Sequence, residues 1–365
     1  LKQNKGESNM SSSWGERVKI SIFGESHGEG IGVVIDNLPA GHKIDMEQVR
    51  GFMERRAPGR DKFATPRRED DIPRVLSGML QDTTTGAPLC AVIENTNTRS
   101  GDYNNLLAKP RPGHSDYPAF LRYEGFNDIR GGGHFSGRLT APLVFAGSLC
   151  RQILAEQGIK IASHISQIGQ IKDQPFDRLE IEDALIASLN QAPFPLIDKT
   201  VEALMRDYIE QARMSQDSAG GIVECCAVGV PAGLGSPMFG GVENVISSIV
   251  FGIPAVKGLE FGTGFGFASL HGSEANDPYA YQDGKVVTLK NNNGGILGGI
   301  TNGMPVLFRA CVKPTSSISQ EQKTVDLTEQ RDTTLIVKGR HDPCIVPRAA
   351  VVLESALALA LINLI

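Results

Sequence analysis

The chain has 365 residues, 41% of them hydrophobic, which is enough to bury a large core. Its formal net charge of −5 argues against a general nucleic-acid binder, which needs a basic surface. The six cysteines contain no CxxC pair, so no metal site is expected, and reduced thiols in a cytoplasmic protein are.

Residues 1–13 are polar, carry no secretory signal and are expected to form a disordered extension, with Met10 a candidate natural start. Val18, Ile20 and Ile22 alternate with Lys19 and Ser21, which is the period of a strand; GESHGEG breaks the pattern and 31–35 resumes it. Asp45 then reads as a helix N-cap with Gln48 at the capping-box position, and Pro58 and Gly59 stop that helix. A charged loop covers 60–70, and shorter strands are expected near 73–80 and 89–94. Three longer helices are predicted over 138–157, 199–214 and 347–364, and two strands over 221–230 and 304–312. The last helix lies in the longest apolar run, which Glu354 interrupts, so a buried helix is expected there rather than a membrane span. Glycine turns and short apolar pieces fill 252–303. With no linker or low-complexity block, residues 14–365 read as one α+β domain. A weak internal echo links GGGHFSGRLTAPLVFAGSL with KGRHDPCIVPRAAVVLESAL, each a glycine/histidine loop before an apolar helix.

Forty-one glycines, about 11% of the chain against a usual ~7%, fall in clusters and mark tight turns and close backbone–ligand approaches. His27 lies in one such turn, GESHG, where it can donate a proton near neutral pH. The same run matches G-x-S-x-G with Ser26 as a nucleophile, but that motif requires a helix after the turn and here a strand follows. The stretch 50–74 holds eight arginines and lysines, including Arg55, Arg56 and Lys62, suited to phosphate or carboxylate. Five acidic residues share it, Asp71 among them, so part of it is expected to be a solvated mixed-charge surface. RPGHSDY puts His114 beside Asp116, which can orient an imidazole or cap the element that follows. RGGGHFSGRLT places three glycines ahead of a helix, where free N–H groups attract anions. NNNGGILGG and KPTSSIS repeat the theme, and KGRHDPC joins Arg340, His341 and Asp342.

Taken in order, FGESHG, ERRAPGR, IENTNTRSGDY, RPGHSDY, RGGG, GVPAGLG, GGILGGI, KPTSSI and KGRHDPC resemble the chorismate synthase family over residues 14–365. The resemblance implies a β-α-β sandwich with helices layered between two antiparallel sheets, and a homotetramer. It implies conversion of 5-enolpyruvylshikimate 3-phosphate to chorismate, a 1,4-elimination of phosphate that needs reduced FMN without net redox change. By matching motif, His27 is the acid toward the leaving phosphate, His114 stabilises the reduced flavin, and Asp342 helps remove the ring proton. Ser26 and Ser136 match serines of a proton network. Flavin contacts are implied for His134, Phe135, Ser136, Pro254, Ala255, Gly298, Lys313, Pro314, Thr315, Ser316, Ser317 and Arg340. Arg56 and Lys62, with Arg55 beside them, match a segment tied to substrate phosphate or NADP. Three departures stand out: HFSGRLT where many members read RSSARET, Lys62 where arginine is expected, and Pro254 where asparagine is more usual. No extra block of sequence suggests a built-in flavin reductase, so an external reductase is expected, with NADPH acting only indirectly.

Overall fold

The computed structural model describes residues 12–59, 71–96, 106, 108–337 and 342–365. The first part of the chain forms β1 (Ser13–Trp14), β2 (Lys19–Gly24), β3 (Gly30–Asp36), β4 (Arg74–Ser77), the small ribbon β5 (Met79–Leu80) and β6 (Thr83–Thr84), and β7 (Leu89–Glu94). The second part contributes β8 (Lys160–Ile168), β9 (Ile171–Lys172), β10 (Gly221–Val228) and β11 (Val256–Phe261). It continues with the ribbons β12 (Tyr279–Gln282) with β13 (Lys285–Thr288) and β14 (Ile296–Leu297) with β15 (Ile300–Thr301). Then come β16 (Val306–Val312) and the ribbon β17 (Gln322–Asp326) with β18 (Arg331–Leu335). Helices are α1 (Met46–Arg56), α2 (Asp116–Arg122), α3 (Thr140–Glu156), α4 (Asp183–Gln191), α5 (Glu202–Met214), α6 (Val242–Val250), α7 (Gly272–Ala275) and α8 (Val346–Leu364).

Two five-stranded sheets dominate, ordered β1-β2-β3-β7-β4 and β11-β16-β10-β8-β9, with every neighbouring pair antiparallel. Helices α1, α3 and α8 lie between them, α3 reaching β3 and β8 and α8 reaching β8 and β10. This is the expected layered α+β sandwich. Pairing begins at Ser13, which faces Ser21 across β1 and β2, inside the segment set aside as an extension.

Both central helices are apolar on nearly every face, so they suit only a fully buried layer. They pack on each other, and the close approach is set by Gly147 of α3 lying against Ser355 of α8, where an added Cβ would overlap the serine backbone. The two segments of the sequence echo thus end as neighbouring helices. Glu354, the residue that interrupts the apolar run, is 0% exposed. It takes hydrogen bonds from Arg55 at 2.8 Å to each oxygen, from Arg151 at 2.5 Å and from Ser163 at 2.7 Å. Burial acts to raise its pKa, but Arg55 and Arg151 outweigh it and hold the carboxyl below its ordinary value.

At α1 the N-cap is Asp45, whose carboxylate accepts from Glu47 and Gln48 backbone N–H groups. The box is not the reciprocal one: the Gln48 amide donates to the Asp45 carboxylate, and Gln152 of α3 takes the Asp45 N–H instead. Sequence reasoning passed over β8, the strand beside β10. Its residues are buried on both faces, Ile161 and Ile165 against the helices, Ala162 against Phe176 and Leu189 of the segment that covers the sheet. No alternation survives such burial, and Ser163 and His164 further disguise it. Helices α2, α4 and α6 were likewise not read from the sequence, each being under ten residues.

Candidate active site

A cleft of about 910 Å³ opens where the β2–β3 turn, the glycine run before α3, the start of α8 and the loops after α6 and β16 converge. It is a size typical of small-molecule sites, roughly 300–1,000 Å³. Among its lining residues are His27, Arg56, His114, His134, Phe135, Ser136, Pro254, Ala255, Lys313, Pro314, Thr315, Ser316, Ser317 and Asp342, which the sequence had singled out. The N-terminal ends of α3 and α8 reach it through Leu139, Thr140, Ile345 and Arg348, adding the positive ends of two long helices to its cationic lining.

The triple glycine organises the two histidines. Gly131, Gly132 and Gly133 have φ of 63°, 96° and 54°, a run that residues with a Cβ rarely adopt. A Cβ on Gly131 would collide with the His27 ring, and one on Gly132 would sit 3.3 Å from the His114 ring. His27 is 7% exposed, its Nδ1 3.1 Å from Ser26 Oγ. Ser26 donates its hydroxyl to the Arg130 carbonyl at 3.1 Å, so it accepts from His27 Nδ1–H and leaves Nε2 free of that bond. The buried Ser26 is thus a hydrogen-bonding partner of His27. A strand, β3, follows the turn, so the nucleophile elbow fails on structure as well.

His114 rests on Asp116, Nδ1 to Oδ1 2.6 Å, and Asp116 is gripped by Arg111 through Nε at 2.7 Å and Nη2 at 2.8 Å. Burial acts to raise the Asp116 pKa, but Arg111 and His114 outweigh it and hold the carboxyl far below its ordinary value. The KPTSSIS loop docks here: Ser316 donates to the Gly113 carbonyl at 2.8 Å, Lys313 donates to the same oxygen, and Arg111 reaches Ser317 at 3.1 Å. Lys313 also faces Lys257, and burial followed by that like charge lowers its pKa.

Across the cleft, Asp342 pairs with Arg348 at 2.6 Å, and Arg348 donates to the Arg56 carbonyl at 2.8 Å. The Thr315 hydroxyl donates to the Asp342 carbonyl at 3.0 Å. Arg56 is 1% exposed and lies 2.8 Å from Asp71, whose other oxygen is taken by Arg138. The pairing is off-axis, so Arg56 Nε and Nη2, both buried, make no hydrogen bond among the described residues. Burial lowers the Arg56 pKa, Asp71 opposes it, and two further arginines add to the drop. Asp71 therefore belongs to a buried ion cluster, whereas Arg50 and Arg74 of the same run are exposed, Arg50 paired with Glu47 at the surface.

Other expected residues fall elsewhere. Arg55 turns into the helical layer toward Glu354, and Gly298 sits in the β14–β15 turn away from the cleft lining. Lys62, Arg340 and His341 lie outside the described residues. His134, at the altered loop, is tied by Nδ1 to the Gly24 carbonyl at 2.8 Å and by Nε2 to Ser12 at 2.6 Å, and Phe135 stacks edge-on against Tyr123. Ser136 accepts from Arg138 N–H at 3.3 Å and so caps the short turn that enters α3. Sequence reasoning gave no role to Arg111, Arg138, Lys257 or Arg348. Arg111 and Arg138 stand inside motifs already quoted, Arg348 inside the quoted run that leads into the last helix, and Lys257 inside AVKG, a further run of the same family pattern.

The family model for chorismate synthase matches residues 18–365. Chorismate synthase of Thermococcus kodakarensis is 46% identical over 344 residues, 94% of this chain and 94% of that protein. That of Dehalococcoides mccartyi is 44% identical over 355 residues, 97% and 96%, and that of Pyrococcus abyssi 47% over 347 residues, 95% of each. A crystal structure of chorismate synthase superposes with a TM-score of 0.72 at 27% identity, covering 96% of this chain and 92% of that one. With nearly the whole length matched in sequence and in fold, the chain belongs to the chorismate synthase family of lyases.

Proposed function

We propose that this lyase eliminates phosphate from 5-enolpyruvylshikimate 3-phosphate to give chorismate, with reduced FMN held in the cleft beside the substrate. The observation that carries the reading is the convergence of His27, His114 and Asp342 with Arg56, Arg348, Lys257 and Lys313 in one cleft. A phosphate-bearing flavin and a phosphate-bearing, carboxylated substrate both need such cations, and the unsatisfied N–H groups of the buried Arg56 suit an anion. The chemistry that a reduced flavin supplies when bound is a reversible loan of electron density, which lets a poorly acidic ring hydrogen leave.

The residues divide the remaining work. Arg56 neutralises phosphate, helped by Arg138, which shares Asp71 with it. His27, fixed by Ser26 through Nδ1, gives a proton from Nε2 to the departing phosphate. Asp342, held by Arg348, takes the ring proton, and His114 stabilises negative charge on the flavin. Lys313, Ser316, Ser317, Pro254, Ala255 and the His134–Ser136 turn form the flavin wall, with Arg340 assigned by motif. Leu139, Ile249, Ile253 and Val256 supply the apolar part of the wall and keep water from the reacting atoms. We assign the protein to the cytoplasm as a homotetramer supplied with reduced flavin by a separate reductase.

The test is anaerobic turnover with chemically reduced FMN, followed by chorismate absorbance and phosphate release. Product that disappears when the FMN is oxidised is the expected result. A folded, flavin-binding protein that forms no product overturns the assignment of substrate.

A further inference from the structure

His114 lines the cleft, and on its other side it is tied through Asp116 and Arg111 to Ser317. Its neighbour Asp116 opens α2 but does not cap it; the carboxylate turns back into the loop instead. There it is fully subscribed. One oxygen accepts from Arg111 N–H at 3.0 Å and Nε at 2.7 Å, the other from Arg111 Nη2 at 2.8 Å and from His114 Nδ1 at 2.6 Å. An ionised carboxylate only accepts, so the proton on the shortest of these contacts belongs to His114 Nδ1. The 3.2 Å approach of Arg111 Nη2 to the same nitrogen is then donor beside donor, and the guanidinium is held by Asp116 and by Ser317 at 3.1 Å. Arg111 is 4% exposed and Asp116 8%, so little water competes for either. On the ring's far side Gly132 leaves just enough room, since a Cβ there would stand 3.3 Å from Nε2.

We propose that Arg111 and Asp116 are positioning residues for the lyase reaction, holding the Nδ1–H of His114 so that Nε2 faces the cleft and is the atom that takes up the second proton, with which the charged ring stabilises negative charge on the flavin. An unconstrained imidazole favours the opposite tautomer in water, with its proton on Nε2, so the arrangement requires a fixed acceptor at Nδ1. Arg111 supplies the rigidity: its fork fixes the carboxylate plane, and its bond to Ser317 ties that plane to the KPTSSIS loop. The proposal rests on the role given to His114 above, and the experiment separates the two.

Imidazole nitrogen NMR on the intact protein at mildly alkaline pH, with the His114 signals assigned by their loss in His114→Gln, reads the tautomer without substrate or flavin. The expected spectrum has a protonated Nδ1 and a bare Nε2, and Asp116→Asn shifts the proton toward Nε2. In the anaerobic assay Asp116→Asn lowers kcat by at least about 10-fold and by up to ~10⁴-fold, the loss when a tautomer-fixing carboxylate becomes an amide, with KM within about 3-fold. Asp116→Glu recovers part of the loss. A wild-type His114 protonated on Nε2 overturns the proposal, as does a folded Asp116→Asn with wild-type kcat. If Asp116→Asn does not fold, the wild-type spectrum decides alone. If the wild type shows no turnover, the functional reading fails while the spectrum still judges the tautomer.

Discussion

At the scale of single residues, the site depends on backbone that only glycine can supply. Gly131 matters for the His27 ring that occupies its missing side chain, and its φ of 63° adds strain to any replacement. Two variants separate geometry from chemistry. His27→Ala is expected to lower kcat by about 100- to 10,000-fold while flavin affinity stays within a few-fold, since it removes the proposed acid and leaves the proposed flavin wall intact. Gly131→Ala lowers kcat too, but it also shifts the ring environment of His27, visible in the imidazole spectrum of a protein whose acid is still present. A Gly131→Ala enzyme with wild-type kcat and an unmoved His27 signal contradicts the packing described here. Much of this was legible in advance: GESHG, RPGHSDY, KPTSSIS and the Asp of KGRHDPC all reach one cleft. Arg348 was given no role, because six residues separate it from Asp342 and their 2.6 Å pairing depends on how the loop turns into α8.

At the scale of elements, the molecule turns on the α3–α8 crossing. The backbones approach closely because Gly147 meets Ser355, small against small. Gly147→Ala is expected to destabilise the fold by about 1–3 kcal/mol despite the better helix propensity of alanine, because the added methyl has no space. Urea denaturation measures it. A neutral or stabilising result means the helices can part without cost. Burial also explains the thiols. Burial pushes the Cys344 and Cys150 thiols up to about 12, whereas Cys311 is exposed on β16. A thiol reagent at pH 8 is expected to modify Cys311 fast and Cys150, Cys225, Cys226 and Cys344 only on unfolding, with half-buried Cys90 between them. Fast labelling of Cys344 contradicts the placement of the α8 entrance.

At the scale of the whole molecule, buried ion clusters tie the layers together and give stability a defined pH window. Burial works to raise Glu354 and Asp116, but their arginine partners outweigh it and depress both. Their contribution is complete above the unfolded carboxylate range, about 3.9–4.3, and is lost as pH falls through the lower folded values. His164 runs the other way. Burial lowers its pKa, but Asp173 at 2.8 Å and Glu224 at 2.9 Å outweigh this and raise it. Its contribution is complete below about 6.5 and is lost as pH rises through the raised folded value. Unfolding free energy is therefore expected to plateau between the two limbs. His164→Gln should remove the alkaline decline and leave the acid limb in place. An unchanged alkaline limb in that variant assigns the decline to another group.

Features that depend on near neighbours in the chain were readable before folding was considered. The β2–β3 hairpin, the Asp45 cap, the two apolar helices and the glycine turns follow from period, capping and φ, which act within a few residues. So was the family, because its ordered motifs are local runs. Tertiary structure alone decided which charges are solvated and which are buried. Arg55 and Arg56 are adjacent in the chain, yet one faces Glu354 in the helical layer and the other the cleft with Asp71. It also decided that β8 is a strand, since burial on both faces erases the alternation by which strands are recognised. The physical reason is common to both: burial and charge pairing are set by which elements the fold packs together, as far apart in the chain as Arg55 and Glu354, and local period does not record them.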